Sequence, residues 1–295
     1  MVKANIDYNK ELLIALREKA RLGSKTFQML LSQFGSLEGI VDASIEALTD
    51  IPLITEEKAK LIKDIDFELK GINADLEMYS EKGIKVWTIF DDGYPELLRY
   101  LSDPPFVLYT KGNFPLDNKT YIAMVGTTKA SAESLELAVN YAIRFSAKGA
   151  VIVSGLARGI DTAAHLGAIK SEGPSYAVLG CGFDNIYPEE NETLSRELQE
   201  KGALITEYPP DTKVSTGRLI SRNRIIVGLS QTVIVGEVDK KSRGSIDAAE
   251  RAADNGKLLF AIGDKLIPVD PGLIEFGAIP LDSYDMVDLV FDHSI

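Results

Sequence analysis

One stretch near the middle of the chain constrains the fold more than any other: residues 150–161, with the sequence AVIVSGLARGID. Its first half is a short β-branched apolar run, typical of a strand that is buried on both faces of a parallel sheet. Gly155 and Gly159 interrupt the run, and TAAHLGAIKSE follows as a predicted helix with Asp161 at its N-cap. This order directs backbone N–H groups and the positive end of a helix dipole at one spot, which suits a phosphate.

Strands and helices alternate in the same way over the rest of this half of the chain. The apolar runs are YIAMVG, AVIVSG, SYAVLGCG, ALITEYPP, TVIVGE and LLFAIGD, with IIVGL at residues 225–229 as a further predicted strand. Strands that alternate with helices predict right-handed crossovers and a doubly wound, mostly parallel α/β sheet. Ligands of such sheets bind beyond the carboxyl ends of the strands, where the glycine turns gather.

The first 72 residues have a different pattern, and we expect them to form a small all-helical domain ahead of an α/β domain at residues 73–295. The segments KELLIALREKA, TFQMLLSQFG, SLEGIVDAS, IEALTDI and TEEKAKLIKDI each indicate a short helix, and Ser36, Ser44 and Thr55 are typical helix starts. The pattern resembles helix-hairpin-helix or SAM-like modules. Its hairpin, residues 51–55, reads IPLIT where DNA-gripping modules carry glycines, which favours packing or partner binding.

Charge and composition limit the possible ligands. The net charge of −12 and pI near 4.8 mean that any DNA affinity depends on a local cluster of Lys and Arg. The chain has a single cysteine, Cys181, and we find no apolar stretch of membrane length and no signal-peptide core. These features predict a cytoplasmic protein without membrane contact. His165 and His293 lie far apart in sequence, which argues against a metal site. No dinucleotide-binding or Walker A motif is present, so we expect no cofactor.

Basic residues fall in the loops that we expect at one edge of the sheet, and arginine forks match phosphate oxygens well. They are Arg158 in the glycine turn, Arg218, Arg222 and Arg224 before IIVGL, and Lys240, Lys241 and Arg243 after TVIVGE. The alternative interpretation, structural arginines and a solvated lysine pair, stays open.

Five ordered motifs carry a resemblance to a known family: SGLARGIDTAAH, GCGFDNIYPEEN, ITEYPP, SRNRIIVGLS and RGSIDAAERAADNGK. In this order and spacing they resemble the DNA-processing protein A family (DprA, also called Smf). The resemblance implies a helical N-terminal domain and an extended Rossmann-like domain that binds single-stranded DNA. It also implies that the protein protects incoming strands, helps to load a RecA-type recombinase during natural transformation, forms a homodimer and is not an enzyme.

The motifs and the predicted loops together give a set of candidate residues for binding DNA phosphates. They are Gly126, Lys129, Ser154, Gly155, Arg158, Gly159, Gly180, Gly182, Arg222, Asn223, Arg224, Lys240, Arg243, Gly244 and Ser245. Tyr187 and Tyr208 are candidates for stacking on bases, with packing in the core or a turn as the alternative.

The sequence departs from the family pattern in the turn after the first Rossmann strand and after Pro188. The turn is Gly126-Thr127-Thr128, with Lys129 as the nearest cation, where the family usually has an arginine. Glu189 and Glu190 follow Pro188, where a lysine is common, and an anion there would weaken the binding of a strand. We also expect no C-terminal winged-helix domain.

Two other functions stay open. The same Rossmann-like superfamily includes hydrolases of nucleoside monophosphates, whose motif resembles PGGxGTxxE. When that motif is aligned on Gly244-Ser245, its glutamate falls on Ala248, so a protein that binds a nucleotide without hydrolysing it is the form of this alternative that survives. A role in protein interaction alone would depend on the acidic surface and the helical domain.

Overall fold

The chain divides into two compact units, Met1–Tyr109 and Thr110–Ile295, and the computed structural model describes residues 6–116, 118–239, 243–263 and 267–294. The elements of the first unit are α1 (Ile6–Glu18), α2 (Ser24–Phe34), α3 (Leu37–Asp42), α4 (Ile45–Thr49), α5 (Glu56–Lys63), α6 (Ile65–Glu81), β1 (Ile84–Thr88), α7 (Glu96–Arg99) and β2 (Val107–Gly112). The predicted helix starts at Ser36, Ser44 and Thr55 are confirmed. Each side-chain oxygen accepts a hydrogen bond of 3.0–3.2 Å from the backbone N–H group three residues later.

Helices α4 and α5 pack against each other around the loop at residues 50–55, as in a helical hairpin. Leu53 in this loop has a φ of 72° and a side chain that is 66% exposed. A left-handed backbone is the conformation that glycine adopts most easily, so the hairpin holds a leucine where a glycine would be less strained. The tip of the hairpin therefore presents an apolar side chain to solvent.

The division between the two compact units falls after Tyr109, later in the sequence than the domain boundary expected at residue 72. Helix α6 runs without a break across residue 72 and packs against α1, so the helical segment does not end there. Strand β1 lies next to β2 and extends the first unit beyond its helices. The assignment of residues 1–72 to a helical domain and of residues 73–295 to an α/β domain stays a prediction.

The second unit has the alternating order that its sequence predicts. Its elements after β2 are β3 (Tyr121–Val125), α8 (Ala132–Ala147), β4 (Val151–Ser154), α9 (Ile160–Lys170), β5 (Ser175–Val178), a 3₁₀ turn (Glu189–Asn191), α10 (Glu192–Lys201), β6 (Ala203–Thr206), α11 (Thr216–Ser221), α12 (Asn223–Leu229), β7 (Thr232–Val235), α13 (Arg243–Asp254), β8 (Leu258–Ile262), α14 (Pro271–Glu275), β9 (Ile279–Leu281) and α15 (Met286–Asp292).

The strands of the second unit confirm the doubly wound, Rossmann-like sheet. Their order is β6-β5-β4-β3-β7-β8-β9, and all neighbouring pairs are parallel. The chain winds from β3 outward to β6 and then returns to place β7 on the other side of β3. The topological switch point therefore lies between β3 and β7, which is where ligands of such sheets bind.

Helices cover both faces of this sheet. On one face α8, α9 and α15 form a core with the strands, in which Tyr141, Phe145, Ile152 and Phe260 are buried. Helix α12 contacts β3, β4 and β5, and α13 contacts β7 and β8. All four residues of β4 are buried, as expected for a central parallel strand. Among the helices in the described ranges, none is long and apolar enough to cross a membrane.

The predicted strand at residues 225–229 is wrong, because IIVGL lies in helix α12. Every residue of α12 is buried. A short apolar run that is buried on all sides shows no periodicity, so its sequence cannot distinguish a strand from a buried helix. The arginines on either side of Asn223 consequently lie at the start of a buried helix rather than in an open loop.

His165 lies on α9 and is fully buried. Its Nδ1 is 2.8 Å from the hydroxyl of Ser175, which in turn donates to the carbonyl of Ile152. Burial, with a smaller contribution from the positive charge of Arg222, lowers the pKa of His165 to about 3. The histidine is therefore a neutral structural residue that joins α9 to the strands beneath it.

The depressed pKa predicts that acid weakens the fold. Between pH 6.5 and 4.5 the histidine is protonated in the unfolded chain and neutral in the folded one, so the free energy of unfolding falls as the pH falls. His165 should contribute about 1.4 kcal/mol per pH unit to this fall. Urea denaturation of the wild type and His165→Gln across this range measures the difference in slope, and equal slopes would show that the histidine titrates normally.

Candidate functional site

The loops after β3 and β7 meet at the switch point and border a cavity of about 780 Å³. The strand pairing continues beyond the strands themselves, since Gly236 N–H donates to the carbonyl of Val125 at 2.8 Å and Thr127 N–H to that of Glu237 at 2.7 Å. The two loops are therefore held side by side. The residues around the cavity are Val125, Gly126, Thr127, Thr128, Lys129, Ala157, Arg158, Asp161, Tyr187, Pro188, Thr216, Leu219, Ile220, Arg222, Asn223, Asp239, Arg243, Gly244 and Ser245.

The glycine turn after β4 does not hold its N–H groups open for a ligand. The carboxylate of Asp161 accepts hydrogen bonds from the N–H groups of Gly155 and Ala157, at 3.1 and 3.4 Å. Asp161 lies in the first turn of α9, and the N-cap position belongs to Gly159, which has a φ of 73°. The prediction of Asp161 as N-cap is wrong, and the anion that this turn binds is the protein's own carboxylate.

Arg222 lies beneath the same turn and is only 5% exposed. Its Nη1 donates to the carbonyls of Gly155 and Val178, and its Nη2 is 3.6 Å from Asp161 Oδ2. A Cβ atom on Gly155 would overlap the guanidinium, which explains why residue 155 has no side chain. Burial raises the pKa of the Asp161 carboxyl, and the charge of Arg222 offsets part of this rise. Arg222 forms the floor of the cavity and holds the turn together.

Arg224 and Asn223 also have structural partners. Arg224 Nη2 lies 2.7 Å from Glu207, both residues are buried, and Arg224 does not border the cavity. The amide of Asn223 donates to the carbonyl of Gly244 at 2.8 Å and to Asp247 at 3.1 Å. Asn223 therefore joins the start of α12 to the start of α13, where Gly244 and Ser245 face the cavity.

The structure does not bring Ser154 or the glycines at positions 155, 159, 180 and 182 to the cavity. Ser154 donates its hydroxyl proton to the carbonyl of Met124 at 2.6 Å and is fully buried. Gly155 and Gly159 belong to the closed turn, and Gly180 and Gly182 pack against Leu219 and the backbone at residues 209–210. Lys240 lies outside the described residues. The glycines of these turns thus serve close packing of the chain against itself.

Among the residues that the structure describes, three cations with exposed side chains border the cavity: Lys129, Arg158 and Arg243, whose positions we call the mouth of the cavity. Arg158 is paired, because its guanidinium forms two hydrogen bonds with Glu190, at 2.5 and 2.6 Å. Lys129 and Arg243 form no ion pair with any residue that the structure describes. Tyr187 borders the cavity, is 40% exposed and has the guanidinium of Arg158 at 6.0 Å from its ring centre. Tyr208 lies under Arg218 outside the cavity.

Sequence reasoning missed several polar residues of the site. Thr127 and Thr128 border the cavity, and the hydroxyl of Thr127 donates to Asp239 at 3.3 Å. Asp239 comes from the loop after β7, where only the neighbouring lysines and arginine drew attention. Glu237 in this loop accepts two hydrogen bonds of 2.8 Å from Ser131 at the start of α8. Its carboxylate is therefore engaged with a helix start.

The structural role of Arg222 predicts a large effect of Arg222→Met on stability. The substitution leaves the Asp161 carboxylate buried without its ion pair, which should lower the free energy of unfolding by about 3–5 kcal/mol in urea denaturation. The exposed Arg196→Met on α10 is the matched control and should change it by less than about 0.5 kcal/mol. The double variant Asp161→Asn/Arg222→Met should lose less than the two single variants combined, since no unpaired charge remains. Strict additivity would contradict this coupling.

The chain, rather than the site alone, is similar to a known family and to several known proteins. Residues 85–273 match the model of a family described as DNA recombination-mediator protein A. DNA processing protein DprA of Bacillus subtilis is 38% identical over 208 residues, which cover 69% of this chain and 70% of that protein.

Two solved structures are similar to this chain in both sequence and fold. DNA processing protein A (DprA) from Streptococcus pneumoniae is 29% identical with a TM-score of 0.79, over 95% of this chain and 97% of that one. DNA processing protein A from Helicobacter pylori is 30% identical with a TM-score of 0.63, over 70% of this chain and 96% of that one. The work on the H. pylori protein concerns its single-stranded DNA binding mode.

Proposed function

Because the chain belongs to the DNA recombination-mediator protein A family, we propose that it binds single-stranded DNA at the mouth of the switch-point cavity. One observation carries this proposal: Lys129 from the loop after β3, Arg158 from the turn after β4 and Arg243 from the start of α13 border the same cavity. Cations that converge from separate parts of an acidic chain form a local positive site, as phosphate binding requires.

The elements around these cations add to the proposal. Gly244 and Ser245 form the first turn of α13 and border the cavity, so the positive end of this helix faces the same space as the cations. Tyr187 lies at the mouth and offers an exposed ring on which a base can stack. A strand would then run with its phosphates along the cations and a base against Tyr187.

The wider role that we propose follows from the family rather than from the site. As a recombination mediator, the protein would protect single strands and assist the loading of a RecA-type recombinase, as a homodimer and without catalytic activity of its own. Uptake of DNA in natural transformation is the process in which we place it, with a cytoplasmic site of action. Co-purification with a recombinase in the presence and absence of a strand tests the partnership.

Substitution of Lys129 or Arg243 by Ala should weaken the binding of a labelled oligothymidine strand several-fold. Each variant loses one phosphate contact, so the slope of log K against log salt should become shallower by about 0.7. Fluorescence anisotropy across a NaCl series measures both quantities, with a duplex of the same length as competitor. Arg196→Ala on α10, which does not border the cavity, is the control for the loss of a positive charge.

Two results would contradict the proposed site. If no strand binds even at low salt, the repulsion from the acidic net charge outweighs the attraction of the cations at the cavity. Binding that Lys129→Ala and Arg243→Ala leave unchanged would place the strand elsewhere on the protein.

Nucleotide binding is a second candidate, which the cavity itself favours. A volume of about 780 Å³ falls within the range of small-molecule sites, and threonine and serine hydroxyls border it beside the start of α13. Hydrolysis is not part of this candidate, because Ala248 occupies the position of the hydrolase glutamate and Glu237 is bound to Ser131.

A mononucleotide that occupies the cavity should stabilise the folded state by about 2.7 kcal/mol when its concentration is a hundred times its dissociation constant. Thermal unfolding should then show a rise in Tm of several degrees. The matching nucleoside without phosphate is the control and should have a weaker effect, since the cations and the helix start act on the phosphate. Equal Tm values with and without each nucleotide would exclude this candidate.

A further inference from the structure

The strongest feature that the proposed function does not use is the pairing of Arg158 with Glu190. Arg158 lies in the turn between β4 and α9 and borders the cavity, and Glu190 lies in the 3₁₀ turn after Pro188. Nε and Nη2 of the guanidinium donate to Oε1 and Oε2 of the carboxylate at 2.5 and 2.6 Å. A planar fork that holds two oxygens in this way has the geometry with which arginine binds a phosphate.

The carboxylate is held in this place by its neighbour in the chain. Asn191 is buried, and its amide donates to the carbonyl of Leu156 at 2.9 Å and to the hydroxyl of Thr162 at 2.8 Å. Leu156 and Thr162 lie on either side of Arg158 in the chain, so Asn191 fixes the 3₁₀ turn to the segment that carries the arginine. Glu190 is therefore positioned against Arg158 by a contact that does not involve either charge.

Both members of the pair are ionised. The hydrogen bonds from Arg158 lower the pKa of the Glu190 carboxyl, and those to Glu190 raise the pKa of the guanidinium. About half of each side chain is exposed, at 50% and 54%, so water and salt reach the pair and its stability contribution is small. An exposed pair of this kind can exchange one anion for another.

We propose that Glu190 is a resident competitor of the DNA phosphate on Arg158 and thereby sets the affinity of the site. This inference rests on the proposed binding of single-stranded DNA. A strand must displace the carboxylate before its phosphate can occupy the guanidinium fork, and the displaced carboxylate stays close to the strand and repels it. Lys129 and Arg243 then supply the first contacts, and Arg158 contributes only after the exchange.

The test compares Glu190→Gln with Glu189→Gln in the full chain. Both variants remove one negative charge from the same exposed turn, but only Glu190 contacts Arg158. Binding of labelled oligothymidine is measured across a NaCl series for both variants, the wild type, Arg158→Ala and Arg158→Ala/Glu190→Gln. Thermal unfolding of each variant verifies that the fold is intact, since loss of an exposed ion pair changes stability little.

Glu190→Gln should bind the strand about three- to tenfold tighter than the wild type, with a salt slope steeper by about 0.7 because one more cation neutralises a phosphate. Glu189→Gln should show a smaller gain and an unchanged slope. Arg158→Ala should have little effect alone, and in the double variant it should remove the gain in affinity and in slope. Strand binding by Glu190→Gln when the wild type shows none would also support the competition.

Equal gains in Glu190→Gln and Glu189→Gln would overturn the competition and leave the binding function intact, because the effect would then be one of net charge. Absence of strand binding in every variant at low salt would instead overturn the proposed function, and the competition with it. The two failures are thus distinguished by whether any of these proteins, wild type or variant, binds the strand at low salt.

Discussion

The buried pair of Arg222 and Asp161 is the interaction on which the candidate site depends. Asp161 binds the N–H groups of the turn after β4, and Arg222 binds carbonyls at the ends of β4 and β5, so the pair joins a turn and two strands. Neither charge could stay buried without the other. The pair also requires Gly155, whose missing side chain leaves room for the guanidinium. Its effect is a closed, rigid turn that provides a wall of the cavity.

The N–H groups of this turn already donate hydrogen bonds to Asp161. Under the proposed function, a ligand therefore contacts the side chains at the mouth of the cavity instead. Lys129, Arg158 and Arg243 extend from a frame whose hydrogen bonds are already made, so they can exchange partners without disturbing the fold. The overall charge of −12 acts in the opposite sense and repels nucleic acid from the rest of the surface. Under the proposed function, these features direct an anion to the cavity of the second unit.

The fold could be predicted from the sequence because strand, glycine turn and helix recur in order, and because Ser36, Ser44 and Thr55 are side chains that start helices. The site could be predicted only in part. Arginine is equally suited to a phosphate and to a buried carboxylate, and the partners of Arg222 and Arg224 lie far away in sequence. Arg222 and Arg224 were therefore predicted to face a phosphate, although both bind buried carboxylates. The prediction of IIVGL as a strand added to this error, since it placed both arginines in an open loop. Asp161, an acid directly after a glycine turn, was the signal that the turn carries its own anion.

The attachment of Asn191 to Leu156 and Thr162 has a consequence for how this protein can change over generations. Because Asn191 holds the 3₁₀ turn, the backbone there does not depend on the side chain at position 190. A glutamate codon becomes a lysine codon through a single nucleotide substitution, so one mutation can reverse the charge that faces Arg158 without a new fold or a new loop. The strength of the site is therefore open to selection in small steps, while the frame that builds it stays fixed.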